Sequence, residues 1–132
     1  MRLRTSTALA LLISTTACAQ TVESDDLLED LRDSGAGVTQ IIIEERDPSS
    51  SLPNSYRDHY SFTIEEVAPK GGQVFVCDSK KYCDALMTYF EQFPALVGPY
   101  LYQSKSGKVV AQLNSGLSPH NAEVIESILQ SY

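Results

Sequence analysis

The sequence predicts an α+β domain, a two-layer sandwich in which helices pack on one face of a mostly antiparallel sheet of four or five strands. Two observations lead to this class. Segments with strand patterns occur in two neighbouring pairs, and each pair is followed by a segment whose apolar residues recur at helical spacing. Helices on one face bury the apolar sides of helices and sheet together. The expected core is therefore ββαββα, partly ferredoxin-like, and a short helix and a strand precede it.

The first half of the chain contains the short helix and three strands. Ser24 is expected to cap the helix, with Asp25 and Asp26 in its first turn, where acids suit the helix dipole. The apolar stripe of this helix consists of Leu27, Leu28 and Leu31. The strands are predicted from β-branched or alternating residues at 38–46, 60–65 and 73–77. A glycine pair at 71–72 predicts a hairpin between the second and third strands.

The second half repeats the pattern with clearer helices. A helix is predicted from Lys80 to about Phe93, where Pro94 ends it. Its apolar face is expected to contain Tyr82, Leu86, Tyr89, Phe90 and Phe93. Strands are predicted at 100–103 and 108–113, and a glycine-containing turn joins them into a second hairpin. Ser118 followed by proline predicts the start of a last helix that runs to the C-terminus.

Residues 1–19 have the three-part pattern of an export signal. A basic start with Arg2 and Arg4 precedes the apolar run 7–13 and small residues up to Ala19, and that run is too short to cross a membrane. Cleavage before Gln20 would give a periplasmic or secreted protein. The alternative is a lipoprotein signal at 1–17, after which Cys18 becomes lipidated and anchors the chain to the membrane. Residues 20–37 then form an acidic helix and linker, and residues 38–132 form one α+β domain.

Export also simplifies the three cysteines. Cys18 is either removed with the leader or lipidated, and this leaves Cys77 and Cys83 in an oxidising compartment. Their spacing differs from that of thiol oxidoreductases, and no histidine lies nearby to complete a zinc site. The sequence therefore predicts a structural disulfide, which would contribute about 2–3 kcal/mol to stability.

The charge of the chain limits its partners. The full sequence has a net charge of −7, and without Arg2 and Arg4 its eight remaining basic residues face 17 acidic ones, a net charge of −9. Nucleic acids and anionic membrane surfaces are excluded as partners, so membrane contact is expected only through a lipid on Cys18.

No cofactor, metal site or catalytic residue is predicted, and His59 and His120 are interpreted as surface residues.

We expect a non-enzymatic protein-interaction module of the cell envelope, because the chain is small and acidic and has no catalytic motif, and its partner can be a basic envelope protein. The alternative is a small-molecule or metal-binding module, or a minor hydrolase of the periplasm. The predicted contact surface consists of Tyr100, Tyr102, Asp25, Asp26, Glu29 and Asp30.

Overall fold

The computed structural model describes residues 20–132, so the leader and Cys18 lie outside the described residues. In that part of the chain the helices are Ser24–Asp33 (α1), Lys80–Glu91 (α2), Pro94–Val97 (α3) and Pro119–Leu129 (α4). The strands are Val38–Ile43 (β1), Asp58–Ile64 (β2), Gly71–Val76 (β3), Leu101–Gln103 (β4) and Val109–Leu113 (β5). A short 3-10 helix, Glu65–Val67, connects β2 to β3.

The five strands form one antiparallel sheet in the order β1-β2-β3-β5-β4. This confirms the predicted α+β class, the antiparallel sheet and the short helix that precedes it. β3 and β4 run parallel with β5 between them, and α2 lies in the connection from β3 to β4. A split β-α-β unit of this kind is the ferredoxin-like part of the fold.

The helices cover both faces of the sheet, which corrects the expectation that they share one face. Buried side chains of α1 and α4 pack with Val74 and Val109 on one face, which we call the α4 face. Those of α2 and α3 pack with Phe75 and Val110 on the other, the α2 face. The reason is that β3 and β5 are apolar at consecutive positions, and consecutive strand residues point to opposite faces.

Several helix boundaries differ from the predicted ones for local reasons. Glu23 occupies the position before α1, and the hydroxyl of Ser24 donates to Asp58 at 2.6 Å instead of capping the helix. Ser118 does cap α4, where its hydroxyl accepts from the backbone N–H of Asn121. α2 ends at Glu91, and the proline at 94 begins α3 as well as preventing α2 from continuing.

The buried side of α2 also differs in part from the predicted face. Cys83 joins Leu86 and Phe90 in the core, whereas Tyr82 is 47% exposed and Phe93 41% exposed. Cys83 is buried because it is bonded to Cys77 at the end of β3, with their Cα atoms 5.7 Å apart. The predicted disulfide therefore joins a strand end to a helix start.

Strand β1 is shorter than predicted and contains a bulge. Its register with β2 shifts between Thr39 and Ile42, and Gln40 adopts a left-handed backbone with a φ of 48°. After the strand ends, the guanidinium of Arg46 lies 4.5 Å from the ring centre of Tyr56 and donates to the backbone carbonyls of Asn54 and Tyr56. These contacts turn residues 44–57 into an ordered loop on the α2 face.

Candidate functional site

Helices α2 and α3 cover only part of the α2 face, and the uncovered part forms an open groove. Two adjoining cavities of about 400 and 250 Å³ share Gln73 and Gln112 and make up this groove. The larger cavity is also lined by Ser51, Tyr89, Phe90, Phe93, Leu96 and Val97. The smaller one is also lined by Ser61, Gly71, Gly72 and Asn114.

The floor of the groove carries a row of hydrogen-bonded side chains that crosses three strands. His59 Nε2 lies 2.9 Å from Gln73 Oε1, and Gln73 Nε2 donates to Gln112 Oε1 at 3.1 Å. Gln112 Nε2 in turn donates to the carbonyl of Val97 at 2.9 Å, which ties the floor to α3. Gln73 uses one N–H and one lone pair in these bonds, so its amide retains capacity for a ligand.

His59 is held at one end of this row by aromatic packing. Its ring stacks on Phe75 at 4.0 Å between centres and meets the ring of Tyr56 edge-on at 5.6 Å. Burial lowers the pKa of His59, although its hydrogen bond to Gln73 and the charge of Glu44 oppose the shift. The imidazole is therefore neutral at pH 7 and positions the amide row.

The polar end of the groove lies between β1 and β3. Ser61 donates its hydroxyl hydrogen to Glu44, and the two side chains bridge the start of the loop to β2. Gly71 has no side chain, and a Cβ atom at this position would lie only 1.9 Å from the carbonyl oxygen of Phe62. The floor is consequently flat here, and the carboxylate of Glu44 lies at its margin beside Ser61.

The wall of the groove is apolar and partly exposed to solvent. Leu96 is 85% exposed, and Phe93 beside it also leaves much of its ring in solvent. Phe90 and Val97 are buried at the base of the same wall. On the opposite side the hydroxyl of Ser51 lies 2.9 Å from that of Tyr89, so the loop closes one end. A ligand could therefore bury apolar surface against α3 while its polar groups meet the amide row.

Residue types used by serine hydrolases lie near the groove, but their connections do not fit that chemistry. In a catalytic triad the histidine lies between the serine and the acid and accepts the serine proton. Here Ser61 donates directly to Glu44, and the hydrogen-bond partner of His59 is the amide of Gln73. An amide cannot accept a proton at neutral pH, so Gln73 cannot play the part of the acid that orients a catalytic histidine.

The predicted contact residues all belong to the opposite, α4 face. The acids of α1 (Asp25, Asp26, Glu29 and Asp30) are exposed, and Asp30 accepts a hydrogen bond from the Tyr132 hydroxyl. Tyr100 and Tyr102 are half-buried against the core, and the Tyr100 hydroxyl donates to the carbonyl of Leu117 at 2.9 Å. Because α1 packs on β1 and the tyrosines flank the other edge, the structure does not bring the acids and tyrosines together.

Three further predictions concern His120, metal binding and membrane-spanning helices. His120 is exposed in the first turn of α4, near Glu66. Across residues 20–132, no group of three or more histidine, cysteine, aspartate or glutamate side chains could hold a metal ion. None of the helices in that range is long and apolar enough to cross a membrane.

No match is found for this chain. Comparison with protein families, with curated proteins and with solved structures gives no similar protein. The groove must therefore be interpreted from its own chemistry.

The groove is not predicted from the sequence because its residues come from distant segments. Its floor uses β2, β3 and β5, and its wall uses α2 and α3. One signal was present: Ser61, Gln73 and Gln112 occupy polar positions within otherwise apolar strands. Such residues mark a strand surface that the core does not cover.

Proposed function

We propose that this chain is a non-enzymatic protein-interaction module that holds a segment of a partner protein in the groove on the α2 face. The observation that carries this proposal is the exposed apolar wall of Phe93 and Leu96 beside a row of amide side chains. Large exposed apolar side chains next to a polar rim are typical of protein interfaces. Amide side chains both donate and accept, as the peptide groups of an extended segment do.

Charge supports a partner segment that is neutral or basic. The residues that line the groove include no lysine or arginine, and Glu44 supplies a carboxylate beside Ser61. The net charge of −9 expected for the chain without its leader acts in the same direction over longer distances. A basic residue beside the apolar anchor of the partner would therefore strengthen binding and speed association.

A small molecule is the second candidate ligand. The larger cavity, of about 400 Å³, has a volume in the range of small-ligand sites, and its base between Phe90 and Val97 is apolar. Native mass spectrometry of the protein purified from its own cell envelope distinguishes the two candidates. A retained small mass that a Gln73→Ala variant loses would favour the small molecule.

Site-specific photo-cross-linking in intact cells tests the main proposal. A photoreactive amino acid is placed at Leu96, in the wall of the groove, and in a matched protein at Lys105, which is exposed in the turn between β4 and β5. We expect a discrete protein adduct from position 96 and none from position 105. The partner is then purified, and its affinity for a Gln73→Ala, Gln112→Ala double variant should be at least about tenfold weaker.

Two results would contradict the proposal. One is the absence of any adduct at position 96 under conditions in which the photoreactive group is active. The other is an equal set of adducts from positions 96 and 105, since nonspecific encounters would then explain the capture.

We also propose that the chain is exported, by cleavage before Gln20 or with a lipid on Cys18. The buried Cys77–Cys83 bond supports an oxidising compartment. The intact mass of the protein from cells, with and without reductant, tests the cleavage site, the lipid and the disulfide together. A mass that includes residues 1–19 would refute export by either route.

A further inference from the structure

Strand β1 is an edge of the sheet and carries two exposed isoleucines. It pairs with β2 on one side, and its other side pairs with no strand in the part of the chain that the structure describes. Ile42 is 59% exposed and Ile43 is 74% exposed. An exposed apolar edge of this kind is a site for pairing with another strand on the side of the bulge that contains the isoleucines.

The positions of the two isoleucines identify what can cover them. Consecutive strand residues point to opposite faces, so Ile42 lies on the α2 face and Ile43 on the α4 face. A helix or a flat surface docked on one face would cover one isoleucine and leave the other exposed. A strand added along the edge contacts both.

The backbone of β1 is oriented for such an addition. The N–H of Glu44 donates to the carbonyl of His59 at 2.9 Å, so Glu44 turns its backbone groups towards β2. In an antiparallel ladder these groups alternate along the strand. The N–H and C=O of Ile43 therefore point outward, away from β2.

We propose that the added strand is β1 of a second copy of this chain, paired antiparallel about a two-fold axis at Ile42. In this register Ile42 lies opposite its own copy and Ile41 lies opposite Ile43, so the ladder covers residues 41–43 and ends at the bulge at Gln40. The ladder is self-complementary because three isoleucines meet three isoleucines and no two carboxylates face each other. Parallel pairing in register would instead place Glu44 against Glu44.

The symmetry of this pairing has a consequence for the groove. A two-fold axis perpendicular to the sheet reverses the strand direction and keeps each face on the same side. The two five-stranded sheets would join into one, with both grooves on the same face. If the proposed function holds, the dimer is bivalent and binds a repeated or dimeric partner more tightly than one copy does.

The oligomeric state of the purified chain tests the pairing directly and does not depend on any partner. Light scattering with size exclusion, from micromolar to millimolar protein, should show a monomer–dimer equilibrium. High salt should favour the dimer, because both copies are acidic and salt screens their repulsion. Amide hydrogen exchange at Ile43 should slow as the protein concentration rises.

Substitutions locate the interface. Ile43→Lys should weaken dimerisation by more than about tenfold, since each copy loses an apolar contact and places a charge in the ladder. Tyr82→Lys is the matched control, because it changes an exposed apolar residue away from β1 and outside the groove and should leave the dimer unchanged. Urea unfolding of both variants shows that they are folded.

A cysteine scan tests the register separately. Ile42→Cys should give a covalent dimer on oxidation, because residues opposite each other in a non-hydrogen-bonded pair have Cα atoms close enough for a disulfide. Ile43→Cys should cross-link far less, since its own copy is not opposite it.

Three results would overturn the proposal. These are a monomer at millimolar concentration in high salt, a dimer that Ile43→Lys does not weaken, and a dimer that Ile42→Cys does not cross-link. If Ile43 is protected only when another protein is present, the edge pairs with a foreign strand and self-pairing is wrong.

Discussion

The imidazole of His59 donates a hydrogen bond to Gln73 at 2.9 Å while its ring stacks on Phe75, so one half-buried side chain links the aromatic core to the groove floor. Gln73 offers its carbonyl oxygen in this contact, which makes the imidazole N–H the donor. Burial favours the neutral ring and lowers its pKa, with Gln73 and Glu44 acting against the shift.

This relationship predicts that stability declines in mild acid. The unfolded chain, with an ordinary histidine pKa near 6.5, takes up a proton before the folded chain does. The contribution of neutral His59 is therefore complete above pH of about 6.5 and is lost as the pH falls through the lower, folded pKa. The slope for one proton is at most about 1.4 kcal/mol per pH unit. Urea unfolding at a series of pH values measures it.

Two variants provide the control for this pH dependence. His59→Gln should flatten the decline between pH of about 6.5 and 5, whereas His120→Gln should keep it, because His120 is exposed. An unchanged decline in His59→Gln would assign the effect to other groups.

The disulfide predicts a defined loss of stability on reduction. A bond that closes so short a loop contributes about 2 kcal/mol through the entropy of the unfolded chain. The Cys77→Ala, Cys83→Ala double variant should therefore unfold at lower urea concentration, by about that free energy. Reductant should destabilise the parent protein by a similar amount and leave the double variant unchanged. If reductant affected both equally, another site would be responsible.

The order and type of the main elements could be predicted from the sequence because their signals are local. The helical spacing that ends at Pro94 and the Ser118-Pro119 start of α4 depend on near neighbours in the chain. The number of layers depends on tertiary packing, but the sequence contains one indication that helices cover both faces of the sheet. Val74, Phe75 and Val76 are consecutive and all fully buried, which requires cover on both faces of β3.

Because helices cover both faces of the sheet, truncating a buried side chain on either face should lower the free energy of unfolding by a similar amount. Leu86 of α2 and Ile125 of α4 are both fully buried, one on each face. Leu86→Ala and Ile125→Ala should each lower the free energy of unfolding by about 2–5 kcal/mol. Tyr82→Ala, at an exposed position of α2, should cost much less. A tolerant Leu86→Ala would show that α2 does not pack on the sheet as described.

The groove could be predicted only in part. A polar residue within an apolar strand is visible in the sequence, but which polar residues become neighbours depends on strand order. Gln73 and Gln112 are adjacent because β5 inserts beside β3, and local patterns do not specify that insertion. The exposed end of the wall is formed by α3, a four-residue helix that begins at Pro94, and the sequence pattern predicts only the end of α2 at this proline.

The side chain of Arg57 holds the N-terminal segment to the domain. Its guanidinium donates to the carbonyl of Val22 at 2.5 Å and to Asp58 at 2.9 Å. Burial alone would raise the pKa of Asp58, but hydrogen bonds from Ser24 and Arg57 outweigh it and hold that pKa below its usual value. Arg57→Gln should cost about 1 kcal/mol and speed amide exchange at Leu27, whose N–H donates to the carbonyl of Glu23 at the start of α1. Lys80→Gln, which removes an exposed ion pair in α2, should leave that exchange unchanged.

A substitution in the wall of the groove should weaken binding of the partner and leave the stability of the fold almost unchanged. Leu96 keeps 85% of its surface in solvent, so the fold gains little from its apolar character. A Leu96→Ser variant should therefore change the free energy of unfolding by less than about 1 kcal/mol. The same variant should weaken binding of the partner, because an interface depends on a few large apolar anchors. Urea unfolding and the affinity for the purified partner measure the two effects. If stability fell as much as binding, Leu96 would serve the core, and the groove would lose its main support as a binding site.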